Sequence, residues 1–457
     1  MYILTRISSP ETGRQDSLTA RIVRFSLPLM VSNLLQVLFN MADIAVIGKF
    51  AGSISLAAVG STATAVTLFT GVLIGLGSGV NALIARYWGA KDNGTLRRTA
   101  HSAVLICLIA GVLVLLFGQF GSRGLLRLLK TKDELLDKAT LYMRIYFLGM
   151  PAMGLYNFGN AVFSAIGDTK KPLRYLSAAG IVNIVLNLIF VIVFRMDVAG
   201  VALASCLSQC LSAGLILRAL LQSGECYGLS VRELGFDPRA CREVLTLGIP
   251  AGAQNAIFYI ANMFIQMGVN SFDTTMVAGN AAAANADGLV YDVMAAIYTA
   301  CSSFIGMNYG AGDLKQAKKC YFICLGLSFG IGITMGLGLY ALGPAFLSLF
   351  ASEAPVIADG MKRLKIMSIS YGFSAFMDNA IAGCRGLGRS LVPMIVVISG
   401  SCIFRIVWVL TIFAYFHTIT SLYLVYIFSW GVTALFENLY FFHTYRKLTH
   451  SHPAGNV

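Results

Sequence analysis

Apolar stretches of about 20 residues recur along the whole chain, with short polar breaks between them. A helix of that length crosses the roughly 30 Å of hydrocarbon in a bilayer. The pattern predicts an all-α membrane protein of about twelve transmembrane helices, with no separate soluble domain. The predicted spans are residues 22–47, 55–85, 100–120, 140–165, 173–195, 198–222, 246–270, 279–305, 320–350, 364–384, 391–415 and 420–445.

Composition and charge support a membrane protein. Charged residues make up 12% of the chain and apolar residues 57%, against about 25% and 45–50% in soluble domains. Basic residues are retained on the cytoplasmic side during insertion, and most of them fall on one side if both termini are cytoplasmic. We therefore attribute the net charge of +13 mainly to the basic loops on the cytoplasmic side of the cell (inner) membrane. The sequence has no basic face with interleaved aromatic residues, so its charge does not indicate nucleic-acid binding. We also expect no cleaved signal peptide.

The second half of the chain repeats landmarks of the first half at a shift of about 221 residues. An even number of spans per repeat gives two parallel repeats, related by an axis along the membrane normal. We predict an N-terminal six-helix bundle (1–222), a cytoplasmic linker (223–245), a C-terminal bundle (246–446) and a cytoplasmic tail (447–457). The aligned landmarks are Pro28 with Pro250, Asn33 with Asn255, Asn40 with Asn262, residues 88–92 with 309–313, and residues 167–172 with 388–393.

Ionisable residues inside the spans are the first functional candidates, because a charge at the bilayer centre costs about 2.5–3.5 kcal/mol on insertion scales. Asp287, Asp292 and Asp378 are expected to attract a cationic substrate or to form a second titratable site, and which of these roles each acid has stays open. For Arg405 and Glu437 we favour a structural ion pair between helices 11 and 12.

Polar residues of the first repeat point to a cation or proton site. Asp43 follows Gln36 and Asn40 on one face of helix 1. Asn183 and Asn187 are one turn apart on helix 5, and Ser205 lies on helix 6. Carboxylate and amide oxygens suit Na⁺, although such residues also form hydrogen bonds between membrane helices. The predicted substrate-cavity residues are Gln36, Asn40, Tyr156, Asn157, Asn160, Asn255, Asn262, Asp287 and Asp378.

Glycine and proline patterns concern the helices themselves. The stretches Gly75–Gly79 and Gly330–Gly338 lack the Lys-Ser/Thr ending of a phosphate loop and indicate close helix packing. Pro28 and Pro250 either kink their helices or begin them, and both alternatives stay open. The ten cysteines lie mostly in apolar spans without a close pair of the zinc type, which favours a packing role.

Several short motifs occur along the chain: Leu38–Asp43 followed by Val46-Ile47-Gly48, Gly89-Ala90, Gly310-Ala311, Gly167-Asp168-Thr169, Arg385–Gly388 and Gly248-Ile249-Pro250. Together these motifs resemble the multidrug and toxic compound extrusion family over nearly the full length. That resemblance implies a V-shaped pair of six-helix bundles that exchange organic, often cationic, compounds for Na⁺ or H⁺.

The resemblance also implies a coupling site made of an Asp on helix 1, an Asn and an Asp on helix 5, and a Thr on helix 6. Asp43 and Asn183 match this pattern, whereas Asn187 and Ser205 depart from it and leave a single carboxylate. Other members carry a Glu on helix 7, where this chain has no acid. The coupling site is therefore expected in the first repeat, with Asp43, Asn183 and Asn187 as metal ligands if the ion is Na⁺.

The sequence thus predicts a secondary active antiporter that exports organic, cationic drugs or toxins. We expect no cofactor besides the coupling ion, H⁺ or Na⁺, and a monomer whose partners are a small organic substrate and membrane lipid, not nucleic acid. A flippase of a lipid-linked molecule is the first alternative, but mainly acidic and amide cavity residues argue against an anionic cargo. A membrane-embedded enzyme is less favoured, since the five histidines form no cluster typical of a catalytic or metal-binding site. A passive channel is a further alternative.

Overall fold

The computed structural model describes residues 17–451, and these residues form helices and no strand. Residues 1–16 and 452–457 lie outside this part of the chain; of the predicted cytoplasmic tail, 447–457, residues 447–451 belong to the last helix. The helices are α1 Leu18–Phe50, α2 Ser53–Ala90, α3 Asn93–Leu128, α4 Asp133–Phe147, α5 Met150–Ala165, α6 Lys170–Leu188, α7 Asp197–Leu221, α8 Pro238–Val269, α9 Thr274–Gly310, α10 Leu314–Ala341, α11 Gly343–Leu347, α12 Ala354–Gly386, α13 Leu391–Val397, α14 Phe404–Trp408, α15 Ala414–Phe416 and α16 Ile419–Ser451. Short π-helical segments, Ile189–Val193, Ile398–Ile403 and Val409–Phe413, extend or join some of them, and Val231–Glu233 is a 3₁₀ turn.

Helices occupy all of the predicted spans, which confirms the all-α fold class. Ten helical segments among the described residues are long and apolar enough to cross a membrane. The predicted span 140–165 is divided between α4 and α5, and the span 364–384 lies in α12, which carries several charged residues. The predicted span 320–350 is too long, because α10 ends at Ala341 and the short α11 follows.

The duplication is visible in backbone conformation. Asp92 caps α3 by accepting a hydrogen bond from the Thr95 amide at 3.0 Å, and Asp313 caps α10 in the same way with the Gln316 amide at 2.8 Å. The backbone hydrogen bond from Thr95 lowers the pKa of Asp92. The residue before each cap has a positive φ, 56° at Lys91 and 78° at Gly312. Two equivalent loops therefore make the same turn and begin the same helix.

The chain divides into two compact units. Among the described residues, the first unit is Val31–Ala256, and the second unit consists of residues 17–30 and 257–451. Helices α1 and α8 therefore each contribute to both units. Pro28 and Pro250 lie well inside these two helices, which excludes the helix-start alternative and removes one backbone hydrogen bond from each helix.

Glycines allow helices to approach closely within each unit. A Cβ atom on Gly75 would overlap the backbone of Gly252, and one on Gly79 would lie 2.6 Å from the backbone nitrogen of Gly248. In the second unit a Cβ atom on Gly336 would lie 2.6 Å from the carbonyl oxygen of Ser368. The packing role predicted for both glycine-rich stretches is confirmed at these positions.

Candidate functional site

The first unit brings the four predicted coupling residues together around one carboxylate. Asp43 comes from α1, Asn183 and Asn187 from α6, and Ser205 from α7. The Asn187 amide group donates a hydrogen bond to Oδ1 of Asp43. The Ser205 hydroxyl donates to Oδ2 of Asp43 at 3.1 Å. Both oxygens of the carboxylate are thus held by neutral donors from two other helices.

The amides also bond to one another and are buried. Nδ2 of Asn187 lies 3.2 Å from Oδ1 of Asn183, and Nδ2 of Asn183 lies 3.5 Å from the Ser205 hydroxyl. Asn187 is fully buried, and Asn183 is 5% exposed. Oδ1 of Asn187 has no hydrogen-bond partner within residues 17–451. This oxygen could accept a ligand without breaking an existing hydrogen bond.

An apolar cluster adjoins the carboxylate. Val46 and Ile47 lie about one turn after Asp43 on α1, and Val201 and Ala202 lie about one turn before Ser205 on α7; all four belong to one buried cluster. Low surrounding polarity strengthens each interaction with the carboxylate, because water does not screen it.

This chemistry suits a proton or a monovalent cation. Carboxylate, amide and hydroxyl oxygens are ligands for hard cations, and the carboxylate can instead take a proton. Among the described residues there is no group of three His, Cys, Asp or Glu side chains that could hold a metal ion. A single acid balances one positive charge, which fits H⁺ or Na⁺ better than a divalent ion.

The predicted substrate-cavity residues of the first unit differ in their exposure and in their hydrogen bonds. Gln36 and Asn40 are exposed on α1. The Tyr156 hydroxyl donates to the carbonyl oxygen of Pro172 at 3.4 Å. Asn255 donates to the carbonyl oxygen of Gly71 at 3.0 Å, which joins α8 to α2. Asn157 and Asn160 are half-buried on α5, and the Asn160 side chain accepts from Ser164 at 3.5 Å.

In the second unit the predicted acids already have partners. Oδ2 of Asp287 accepts from Nε of Arg363 at 3.1 Å and forms a salt bridge with its Nη2. Oδ1 accepts from the Tyr371 hydroxyl at 2.5 Å. Asp378 is buried and accepts from the Ser374 hydroxyl at 2.7 Å. Arg363 was not predicted as a functional residue, because it lies beside Lys362 and Lys365 just before the predicted span 364–384, in the pattern of a charged helix end.

The predicted ion pair between Arg405 and Glu437 is wrong. Both side chains are fully buried, but Nη1 of Arg405 donates to Asn262 at 2.7 Å and its Nε donates to Ser429 at 3.2 Å. Glu437 lies eight residues beyond Ser429 on α16, which is about 12 Å along a helix axis. Neither carboxylate oxygen of Glu437 has a hydrogen-bond partner among the described residues.

Comparison with known families gives two matches to one family model. The model, described as MatE, matches residues 28–189 and again residues 250–411. The two stretches start 222 residues apart (28 and 250) and end 222 residues apart (189 and 411). Each half of the chain therefore contains one copy of the same unit, which confirms the internal duplication.

Individual relatives cover most of the chain. It is 29% identical over 380 residues to "Probable multidrug resistance protein YpnP" of Bacillus subtilis, covering 81% of this chain and 84% of the relative. It is 25% identical over 374 residues to "FAD transporter" of Shewanella oneidensis, covering 79% and 81%. A solved structure of a MOP superfamily transporter from Pyrococcus furiosus matches with a TM-score of 0.88 at 23% identity, covering 94% of this chain and 96% of that one. The last likeness concerns the fold alone.

Proposed function

The chain belongs to the MatE family of membrane transporters, and we propose that it is a secondary active antiporter that exports small organic compounds in exchange for a cation bound at Asp43. It is a transporter and not an enzyme. The relatives support export of organic compounds in general, since their names give different cargoes, drugs for one and FAD for another. We also propose that it works in the cell (inner) membrane with cytoplasmic termini, as a monomer.

The observation that carries the proposal is the set of contacts around Asp43. An acid inside a membrane helix is costly, and the hydrogen bonds that hold this one among the described residues come from the neutral donors Asn187 and Ser205. Those two hydrogen bonds join α1 to α6 and α7. A proton or Na⁺ that binds the carboxylate competes with these donors. Ion binding at Asp43 therefore changes how α1 packs in the first unit.

This link between an ion and a helix contact provides the coupling step. We propose that substrate is released as the ion binds, and that loss of the ion restores the hydrogen bonds to α1. Entry of one positive charge releases about 2.3 kcal/mol for each 100 mV of membrane potential. Export of a substrate with a net positive charge would offset part of this driving force.

Replacing Asp43 tests the proposal. In proteoliposomes, gradient-driven transport of ethidium and of rhodamine 110 by Asp43→Asn should fall at least about tenfold under every imposed Na⁺ or H⁺ gradient, since no acid remains to bind the ion. Asp137→Asn removes a carboxylate from the same unit and is the matched control, because Asp137 is 80% exposed in a surface pair with Arg123. It should transport both dyes within about twofold of wild type, as surface ion pairs contribute little.

Two results would contradict the proposal. One is Asp43→Asn protein that transports as fast as wild type in the same gradients, which would place coupling elsewhere. The other is a wild-type protein that carries neither dye uphill in any gradient but lets it equilibrate, which would indicate a passive channel.

A further inference from the structure

Among the described residues of the second unit, the hydrogen-bond partners of the Arg405 guanidinium group are neutral. The side chain is fully buried on α14. Its Nε donates to the Ser429 hydroxyl at 3.2 Å and its Nη1 to Oδ1 of Asn262 at 2.7 Å. Nη2 has no hydrogen-bond partner within the described part of the chain. A permanent positive charge is thus buried with donors left over.

The nearby acid, Asp287, does not neutralise the positive charge of Arg405. Asp287 uses both oxygens on Arg363 and Tyr371. Arg363 donates further to Oδ1 of Asn280 at 2.7 Å. Both guanidinium groups lie close to the ring of Tyr426, at 4.9 Å for Arg405 and 5.2 Å for Arg363. Two buried positive charges therefore share one ring and a single carboxylate, which leaves one positive charge in excess.

A second unpaired donor lies beside the first. The guanidinium of Arg405 is 5.7 Å from the ring centre of Trp430 and 5.1 Å from that of Phe258. Nε1 of Trp430 is buried and has no hydrogen-bond partner among the described residues. Phe258, Asn262 and Trp430 are all half-buried. The two donors thus lie just beneath an aromatic surface of the second unit.

The aromatic rings do not account for the site by themselves. Contact with a ring face stabilises a guanidinium, but it satisfies neither Nη2 of Arg405 nor Nε1 of Trp430. Buried donors normally find an acceptor, and a buried charge normally finds an opposite charge. A carboxylate or phosphate supplies both, because its oxygens accept several N–H groups at once.

We propose that an acidic group of the transported compound, a carboxylate or a phosphate, binds Arg405 and Trp430, while an aromatic part of that compound packs on the half-buried ring of Phe258. This rests on the proposed transport function and narrows its substrate class: aromatic compounds with an acidic group, anionic or zwitterionic, should bind more tightly than purely cationic ones. It differs from the cationic substrate expected from the sequence, which pairs Arg405 with Glu437 and gives no role to Arg363.

A matched pair of dyes tests the acidic group. Rhodamine 110 has a free carboxylate, and rhodamine 123 is its methyl ester with the same ring system. Binding is measured by fluorescence anisotropy on the purified full-length protein in detergent. The measurement needs no ion gradient, so it remains valid if Asp43 proves not to couple transport. Wild type should bind rhodamine 110 at least about tenfold more tightly than rhodamine 123, as hydrogen bonds to charged groups are the strong ones.

Variants then assign the effect to the site. Arg405→Gln should weaken rhodamine 110 binding at least about tenfold and change rhodamine 123 binding less than about threefold. Arg405→Lys keeps the charge but loses the fork of donors, and should give an intermediate loss. Trp430→Phe keeps a ring without the N–H group and should weaken rhodamine 110 alone, by a few fold. Lys365→Gln, which removes an exposed positive charge from α12, should leave both dyes unchanged.

Three results would overturn the inference. Wild type could bind the ester as tightly as the acid. Arg405→Gln could weaken both dyes equally, which would indicate a structural role only. Phosphatidylglycerol, but not phosphatidylcholine, could displace rhodamine 110 at equal concentrations, which would assign the site to a lipid headgroup and not to a transported compound. Unchanged rhodamine 123 binding in each variant shows that the variant has folded.

Discussion

At the scale of single residues, the two membrane acids with the best-defined surroundings differ in what holds them. Within residues 17–451, Asp43 accepts hydrogen bonds from the neutral groups of Asn187 and Ser205, so a cation can bind there without displacing a charged partner. Asp287 forms a salt bridge with Arg363, and a cation would have to displace a guanidinium. The first arrangement suits reversible ion binding, whereas the second suits a permanent link between α9 and α12.

The salt bridge of Asp287 should therefore matter for stability. Arg363→Gln leaves a mostly buried carboxylate without its charged partner and should lower the free energy of unfolding by about 3 kcal/mol. The double variant with Asp287→Asn should lose less than the sum of the two single variants. SDS titration of unfolding in mixed micelles measures these differences.

Lys362→Gln serves as the control, because Lys362 is 53% exposed in a pair with Asp359 one turn away. Its effect should stay within about 0.5 kcal/mol. An Arg363→Gln protein that is as stable as this control would mean that the buried salt bridge does not hold the two helices together.

At the scale of helices, the same turn and helix cap occur in both halves of the chain. Asp92 and Asp313 begin equivalent helices after equivalent turns. Close packing within the first unit depends on glycine, since α2 meets the backbone of α8 at Gly75 and Gly79. Membrane helices lack a hydrophobic driving force between them, so such backbone contacts contribute much of their association.

The contact between α2 and α8 predicts a position-specific effect of alanine. Gly75→Ala should destabilise the protein by about 1–3 kcal/mol, because its Cβ atom would overlap the Gly252 backbone. Gly60→Ala lies in the same helix with nothing within 4 Å of its Cβ atom, and should be neutral or stabilising by up to about 1 kcal/mol. Thermal unfolding in detergent compares the two. Equal melting temperatures would show that α2 and α8 do not meet at this glycine.

At the scale of the whole molecule, the chain's two units do not coincide with its two halves. Residues 17–30 belong to the second unit, and the start of α8 up to Ala256 belongs to the first. Each half of the chain thus supplies a helical segment to the unit formed mainly by the other half. The family model nevertheless begins each repeat near these segments, at residues 28 and 250.

This exchange of segments predicts how a divided chain behaves. With a break after Gly224, between α7 and α8, fragments 1–224 and 225–457 should accumulate when expressed together and be degraded when expressed alone, because each unit then lacks a packed helix segment. Shortening the first fragment to 31–224 should prevent fragment 225–457 from accumulating. Immunoblots of membrane fractions measure the amount of each fragment. A fragment 225–457 that is stable alone would contradict the exchange.

Some features of this protein follow from its sequence alone. The apolar runs determined where the helices lie, the repeated landmarks determined the duplication, and one-turn spacings placed Asn183 beside Asn187 on one helix face. These are local or periodic properties, and a helix has a fixed geometry that translates them directly into structure. The grouping of these asparagines with Asp43 and Ser205 was also predicted, although through the family resemblance and not through spacing.

Only the tertiary structure decided which buried charges meet. It paired Asp287 with Arg363 and placed Arg405 against Asn262, Ser429 and aromatic rings, away from Glu437. Such pairings depend on which helices are neighbours and at what height along their axes they touch. Packing of small residues sets that height, and a difference of eight residues along a helix moves a side chain about 12 Å beyond its expected partner.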